Sequence, residues 1–146
     1  MKDIHLSEHR DEIERLLTYV PWLESKCGSN VSREYTSSDL SATVSFPVYD
    51  STLLSFVNEA SKMGLMDDNY VYAYSTYGMR TIEDEKEVIE NAGVKDGDAL
   101  CGVLSKYVLG GMIKGSMWTT AVKEGIFLMV LNRMKKLLEI WDAPLA

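Results

Sequence analysis

The chain has 146 residues, of which 46% are hydrophobic and 25% are charged, a composition typical of a globular domain rather than of a disordered chain. Its formal net charge of −7 argues against general nucleic-acid binding, which needs clustered lysine and arginine. The apolar runs are shorter than the roughly 20 residues that span a bilayer, and the charged N-terminal segment lacks the apolar core of a secretory signal. We therefore predict a single cytoplasmic domain, residues 1–146, that does not enter a membrane, with Cys27 and Cys101 as reduced thiols.

Charge is distributed unevenly along the chain. Residues 1–98 hold 9 basic and 19 acidic residues, whereas residues 99–146 hold 6 basic and 3 acidic residues. The basic C-terminal part can either meet an anion or lie against the acidic part of the same chain. We favour the second interpretation.

Apolar residues at helical spacing predict most of the elements in chain order. The first helix has Ile13, Leu16 and Leu17 on one face, and Pro21 either ends it or starts a short turn. Later helices begin at capping residues, for example Thr81 with Asp84 three positions on. The predicted helices span residues 8–19, 51–63, 81–92, a segment that opens at Asp96 or Asp98 and reaches Val108, 116–124 and 126–141.

Three segments do not follow the helical pattern. Residues 26–41 are polar and rich in serine, which predicts a loop. Residues 42–48 alternate apolar and polar side chains, which predicts one short β or extended segment. The tyrosine-rich residues 70–79 fit a strand and a helix equally. The sequence thus predicts a mainly α fold, a compact bundle of about five to six helices with one short β or extended segment near 42–48.

A glycine-rich stretch, residues 106–131, carries the candidate site. Its sequence Gly-Gly-Met-Ile-Lys-Gly-Ser at 110–116 is similar to a phosphate-binding loop, but Ser116 stands where such a loop needs lysine, and a helix rather than a strand precedes it. We therefore exclude a nucleotide-triphosphatase site. The candidate ligand- or partner-binding residues are Lys106, Tyr107, Gly110, Gly111, Lys114 and Trp118.

Two interpretations of this stretch remain open. Backbone N–H groups after Gly115 can hold an anion, while Trp118 stacks on a base or fills a pocket of a partner. Alternatively, Trp118 belongs to the core and Lys106 and Lys114 are solvated. We favour the second interpretation, although the first supplies the site hypothesis.

The sequence offers few other candidates for metal ligands or catalytic residues. His5 and His9 have the spacing of two metal ligands on one helix face, but we expect no metal site and no cofactor, because the chain has no further histidine. Two carboxylate pairs, Asp67 with Asp68 and Asp96 with Asp98, are available for acid–base catalysis. Both pairs lie where aspartate is favoured for capping alone, so we predict no catalytic residues.

Three segments, in order, resemble a family of small bacterial and phage proteins of unknown function. They are LLTYVPWLES at 16–25, FPVYDSTLLSFVNEA at 46–60 and LCGVLSKYVLGGMIKGSMWTTAVKEGIFLMVLNRMKKL at 100–137. The resemblance implies a mostly helical fold and a bacterial or phage setting. The family carries two arginines in the third segment, where this chain has Leu109 and Met112, so any anion binding by those arginines is absent here.

These observations lead to three functional hypotheses. The first is a non-enzymatic cytoplasmic binding protein that acts through a protein partner, such as a phage- or mobile-element-encoded inhibitor or accessory factor in host–phage conflict. The second is a protein that binds or sequesters a small anionic ligand such as a nucleotide signal. The third is an enzyme that uses the acidic pairs. A homo-oligomer is compatible with each of them.

Overall fold

The computed structural model describes residues 6–28, 32–36 and 45–142, and side chains over 6–28 and 49–141. These residues form eight α-helices, two β-strands and two short 3-10 helices, Leu6–His9 and Val94–Asp96. The α-helices are α1 (Arg10–Leu17), α2 (Val20–Lys26), α3 (Ser51–Ser61), α4 (Tyr70–Tyr77), α5 (Ile82–Asn91), α6 (Gly97–Gly111), α7 (Ser116–Lys123) and α8 (Ile126–Asp142), and the strands are β1 (Ser32–Thr36) and β2 (Ser45–Tyr49).

The mainly helical class is confirmed, but the count of five to six helices is wrong. Two additional helices account for the difference. Pro21 lies in the first turn of α2, where its fixed φ is compatible with a helix and its missing N–H would have had no partner. The tyrosine-rich residues 70–77 form α4, which settles the ambiguity over residues 70–79 in favour of a helix.

The expected loop and single extended segment are replaced by a hairpin. Strands β1 and β2 pair in antiparallel fashion, with Ser32 opposite Tyr49 and Glu34 opposite Pro47. The loop prediction for 26–41 is wrong at Lys26, which ends α2, and over Ser32–Thr36, which form β1. Residues 29–31 and 37–41 of that loop, and residues 42–44 of the predicted extended segment, lie outside the described residues. Both strands of a two-stranded sheet are edges, which is why Pro47 is tolerated.

Helix α6 lies at the centre of the fold. It contacts α3, α4, α5, α7 and α8, and most of its side chains are buried because Leu, Val, Cys and Ala occupy several faces at once. One hydrophobic cluster runs from Leu6 to Leu138 and includes Phe56, Leu104 and Phe127. The single-domain organisation stays a prediction.

Local signals fix the starts of two helices. The Asp50 carboxylate accepts a hydrogen bond of 2.7 Å from the backbone N–H of Thr52 at the start of α3. Thr81 and Asp84 form a reciprocal capping box at the start of α5, as predicted. Within the described residues, no helix combines the length and the apolar character that a membrane crossing requires.

Candidate interaction site

Trp118, the most conspicuous of the predicted site residues, lies in the corner between α6 and α7. Its side chain is 8% exposed, and its indole N–H donates a 3.0 Å hydrogen bond to the carbonyl of Val108. The ring meets Tyr49 edge to face, with ring centroids 5.7 Å apart. Gly111 lies so close that a Cβ there would collide with the indole. This geometry fits the core interpretation and leaves no indole face for a ligand to stack on.

The turn that follows α6 is exposed. Lys114 is solvent-exposed, and its backbone N–H donates to the carbonyl of Gly110 at 2.9 Å. Ile113 is 94% exposed and Met112 is 50% exposed. Gly110 allows the close approach of Met117, because a Cβ at Gly110 would lie 2.8 Å from its Sδ.

Lys106 and Tyr107 belong to a different environment, centred on the carboxylate of Glu85. Glu85 is 1% exposed. Its Oε1 accepts a 2.6 Å hydrogen bond from the Tyr107 hydroxyl, and its Oε2 accepts one from the Tyr74 hydroxyl. The Lys106 ammonium lies 3.4 Å from Oε2 and 4.6 Å from the centroid of the Tyr74 ring. We call these four residues, Tyr74, Glu85, Lys106 and Tyr107, the Glu85 cluster.

The electrostatics of this cluster are those of a satisfied buried carboxylate. Burial, followed by hydrogen bonding to Glu85, raises the pKa of Tyr74 and of Tyr107 far above the usual range. Both hydroxyls therefore remain protonated donors at any physiological pH. Lys106 supplies the opposite charge at the edge of the cluster, so one carboxylate joins side chains from three helices.

The six predicted site residues therefore lie in three different environments. The Glu85 cluster contains Lys106 and Tyr107, whereas Gly110, Gly111 and Trp118 build the α6–α7 corner. Lys114 is exposed on the turn that joins α6 to α7. The assignment of these residues as a binding site stays a prediction.

Helix α4 is held against α6 at three points. In its middle, Gly102 packs on Ala73 so closely that a Cβ at Gly102 would lie 2.7 Å from that of Ala73, and the Glu85 cluster holds Tyr74. At its end, the Tyr77 hydroxyl lies 2.9 Å from Asp98 Oδ1 and 3.0 Å from Asp96 Oδ1, and its one proton is shared between these two acceptors. Helix α4 is thus fixed along its length.

The start of α4 is fixed by Asp67. Its carboxylate accepts a 2.9 Å hydrogen bond from the backbone N–H of Asn69. Its own backbone N–H donates at 2.8 Å to the Ser105 hydroxyl on α6. Ser105 is fully buried, so this bond ties the segment before α4 into the core.

The outer side of α4 carries no charge. Residues 69–79 contain four tyrosines and no Asp, Glu, Lys or Arg. Val71 is 64% exposed and Tyr72 is 60% exposed, and Ser75 and Thr76 are exposed beside them. We call these four residues the α4 face.

A shallow groove of about 350 Å³ adjoins the α4 face. It is lined by Val71, Tyr74, Ser75, Gly78, Met79 and Arg80. Sequence reasoning missed this surface because residues 70–77 are apolar on nearly every side and show no helical periodicity. The available signal was the absence of charge over 69–79 in a chain that is 25% charged.

Three of the four carboxylates considered for catalysis have structural partners, and the fourth, Asp68, is exposed. Asp67 caps the turn before α4, and Asp98 and Asp96 accept from Tyr77. Asp96 also accepts a 2.8 Å hydrogen bond from the backbone N–H of Gly93. These bonds match the capping role that the sequence favours.

Of the two histidines, only His9 lies among the described residues. His9 Nδ1 lies 2.9 Å from Glu12 Oε1, and His5 lies outside the described residues. Among the residues that the structure describes, no group of three or more His, Cys, Asp or Glu is arranged to hold a metal ion.

The two parts of the chain with opposite charge make contact. Lys106, from the basic C-terminal part, pairs with Glu85 from the acidic part. Arg133 on α8 likewise donates a 2.8 Å hydrogen bond to the carbonyl of Ala92. Both contacts agree with the interpretation that the basic part lies against its own acidic part.

Comparisons of the chain with protein-family models, with curated proteins and with solved structures find no match. The resemblance to the bacterial and phage family therefore stays a prediction.

Proposed function

We propose that this chain is a non-enzymatic binding protein that engages a protein partner through the α4 face. The observation that carries the proposal is the exposure of Val71 and Tyr72, at 64% and 60%, on a helix without charged residues. Large apolar side chains exposed together on an otherwise polar surface are a feature of interaction sites.

The side chains of the α4 face suit a protein interface. Complete burial of one large apolar side chain contributes about 1.5–3 kcal/mol, so Val71 and Tyr72 together can anchor an interface. Tyrosine is enriched among residues that dominate binding energy, since it combines a broad apolar ring with a polar end. Ser75 and Thr76 add hydroxyls that can hydrogen-bond without introducing charge.

The attachment of α4 to the core favours binding as well. Association is weakened when a flexible segment must be ordered at the interface. Helix α4 is already held by Ala73 against Gly102, by Tyr74 in the Glu85 cluster and by Tyr77 on Asp98. The α4 face is therefore presented in one arrangement, and little conformational entropy is lost when a partner binds.

The surface on α4 has more support than the small-ligand alternative. That alternative uses Lys106, Lys114 and Trp118, but Lys106 is paired with Glu85 and Trp118 is buried. The resemblance to phage proteins supplies the setting of the proposal. In that setting the partner is a bacterial host protein, and the chain acts in the cytoplasm as an inhibitor or accessory factor in host–phage conflict.

Site-specific photo-crosslinking in bacterial cells tests the proposal. A photoreactive amino acid replaces Tyr72 in one variant and Ile113 in another, and the adducts are identified by mass spectrometry. Ile113 is the matched control because it is more exposed than Tyr72 but lies on the α6–α7 turn. We expect one defined protein adduct from position 72, and its loss when Val71 and Ser75 are both replaced by aspartate.

A defined adduct from position 113 together with none from position 72 would contradict the proposal. That result would assign partner binding to the exposed turn at Met112 and Ile113 instead. Circular dichroism of each variant confirms that the helices are intact.

A further inference from the structure

A second groove, of about 300 Å³, lies between α5 and α8 and shares no residue with the α4 face. Positions 129, 132, 133 and 136 lie on one face of α8, because residues three and four apart are neighbours on a helix. The volume is at the lower end of the range for small-molecule sites. We call the six lining residues, Ile89, Glu90, Met129, Asn132, Arg133 and Lys136, the α5–α8 groove.

Arg133 is held in the α5–α8 groove by the end of α5. Its Nε donates a 2.8 Å hydrogen bond to the carbonyl of Ala92, the residue that follows the last turn of α5. That carbonyl is a neutral acceptor, so the guanidinium keeps its charge, and its Nη atoms keep their N–H donors. Those donors form a planar fork that matches the oxygens of a carboxylate or a phosphate. The bond to Ala92 thus holds a cationic fork at the wall of the groove.

Positive charge predominates among the charged side chains of the groove. Arg133 and Lys136 are basic and Glu90 is acidic, which gives a net charge of +1. Among the described residues, neither Arg133 nor Lys136 belongs to an ion pair. A nucleic acid would need more clustered cations than these. The charges suit a ligand with a single anionic group.

The remaining lining residues supply apolar surface and an amide. Ile89 is buried, and Met129 is half-buried beside it. The thioether of methionine makes favourable contacts with aromatic rings. The exposed amide of Asn132 has both donors and an acceptor. An apolar surface with a few convergent polar groups is typical of small-molecule sites.

We infer that the α5–α8 groove binds a small organic anion, in which one carboxylate or phosphate group is attached to an apolar body. The anionic group pairs with Arg133 and Lys136, and the apolar body lies against Met129. Glu90 opposes the anion, so its removal should strengthen binding. This site is separate from the α4 face, and the inference does not depend on the proposed function.

Three naphthalene compounds serve as probes. Naphthoate carries a carboxylate, naphthyl phosphate carries a phosphate, and naphthamide carries a neutral amide in the same place. Each is titrated into the intact chain with isotope-labelled methionine methyl groups, and the Met129 resonance, assigned with Met129→Leu, is followed by NMR. We expect the tighter-binding anion to move this resonance with a Kd of about 1 mM or lower. Both anions should bind at least about fivefold more tightly than naphthamide, and the tighter of the two identifies the anionic group.

Four variants locate the anion. Lys136→Gln should weaken its binding about fivefold, whereas Glu90→Gln should strengthen it about threefold because a like charge is removed. Arg133→Lys keeps the charge but loses the planar fork and should weaken binding about threefold. Lys135→Gln is the matched control for Lys136→Gln, since Lys135 is exposed on the same helix but does not line the groove. Urea denaturation checks that each variant is folded.

Equal affinity for all three compounds would overturn the inference, because the groove would then select only an apolar body. Equal losses from Lys135→Gln and Lys136→Gln would also overturn it, since the attraction would be a general one to the basic residues of α8. A Met129 resonance that neither anion moves at about 10 mM would leave Arg133 as a cap of α5 alone and would refute the site. None of these results bears on the α4 face, which the crosslinking experiment tests separately.

Discussion

The Tyr107 hydroxyl donates a 2.6 Å hydrogen bond to Glu85 Oε1, across 22 positions of sequence. The same carboxylate accepts from Tyr74, so one buried group connects α4, α5 and α6. The contact explains how α4 is held firmly while its outer side remains exposed. The account of binding at the α4 face depends on this anchoring.

Replacing Glu85 tests the anchoring. Glu85→Ala leaves the hydroxyls of Tyr74 and Tyr107 buried without an acceptor, and an unsatisfied buried group costs about 1–3 kcal/mol. We expect Glu85→Ala to lower the free energy of unfolding by about 2–4 kcal/mol in urea denaturation. Tyr107→Phe should cost about 1–2 kcal/mol, since it removes one bond and leaves the other.

The control for this pair is Glu83→Ala, which alters an exposed carboxylate on the same helix. It should change the free energy of unfolding by less than about 0.5 kcal/mol. Equal effects at positions 83 and 85 would show that the Glu85 cluster does not hold the helices together.

The close contact of α4 with α6 gives a second prediction. Gly102→Ala places a Cβ 2.7 Å from the Cβ of Ala73, so the two helices must separate. We expect a loss of about 1–3 kcal/mol in spite of the gain of about 1 kcal/mol in helix propensity. Gly110→Ala is the matched control, because its new Cβ meets only the flexible end of Met117.

Ala73→Gly in the Gly102→Ala background restores the missing space. The double variant should therefore be more stable than the sum of the two single changes predicts. Additive effects in thermal unfolding would mean that Gly102 and Ala73 do not limit the approach of the helices.

Alkaline titration gives a third prediction. Burial and hydrogen bonds to carboxylates raise the pKa of Tyr74, Tyr77 and Tyr107 above the usual range, and burial with a hydrogen bond to Glu59 raises that of Tyr19 to about 12. In the unfolded chain tyrosine ionises near pH 10. The stabilisation from these protonated hydroxyls is therefore complete below about pH 10 and is lost as the pH rises above it.

Absorbance at the tyrosinate wavelength measures this directly. We expect these four tyrosines to ionise together with alkaline unfolding, above about pH 10. Tyr107→Phe should remove one of the four from that transition. A single phase near pH 10 with the fold intact would contradict the structure of the Glu85 cluster.

A fourth prediction concerns acid. The pKa of Glu59 is lowered, first by the hydrogen bond from Tyr19 and then by that from Arg15 Nε at 2.7 Å. This stabilisation is present above the ordinary pKa of glutamate and is lost as the pH falls through the lowered value. Tyr19→Phe should raise the Glu59 pKa in an NMR titration and move acid unfolding to higher pH. An unchanged Glu59 pKa would show that Tyr19 does not stabilise the carboxylate.

Several elements could be predicted because their causes are local. The Thr81–Asp84 capping box and the Asp50 cap depend on residues two or three positions apart. The core position of Trp118 was the favoured interpretation of the glycine-rich stretch, and Gly111 supplies the close approach that glycine implies.

The rest depended on contacts between distant residues. In the sequence Glu85 is one of several acidic residues on a predicted helix, and its contacts with Tyr74, Lys106 and Tyr107 distinguish it only in the structure. Helix α4 was ambiguous because apolar residues on every side remove the periodicity that separates helix from strand. Pro21 could end one helix or start another, and both assignments satisfy its fixed φ.

Equilibrium binding of the crosslinked partner to the purified chain tests the central claim most directly. The chain is compared with its Val71→Ser, Tyr72→Ser variant and with Ile113→Ser, all three checked for equal free energy of unfolding. We predict that the double change on α4 weakens binding at least about a hundredfold, since hot-spot residues each contribute about 2 kcal/mol or more, while Ile113→Ser leaves the affinity unchanged. Undiminished binding by the α4 variant, at unchanged stability, would contradict the account.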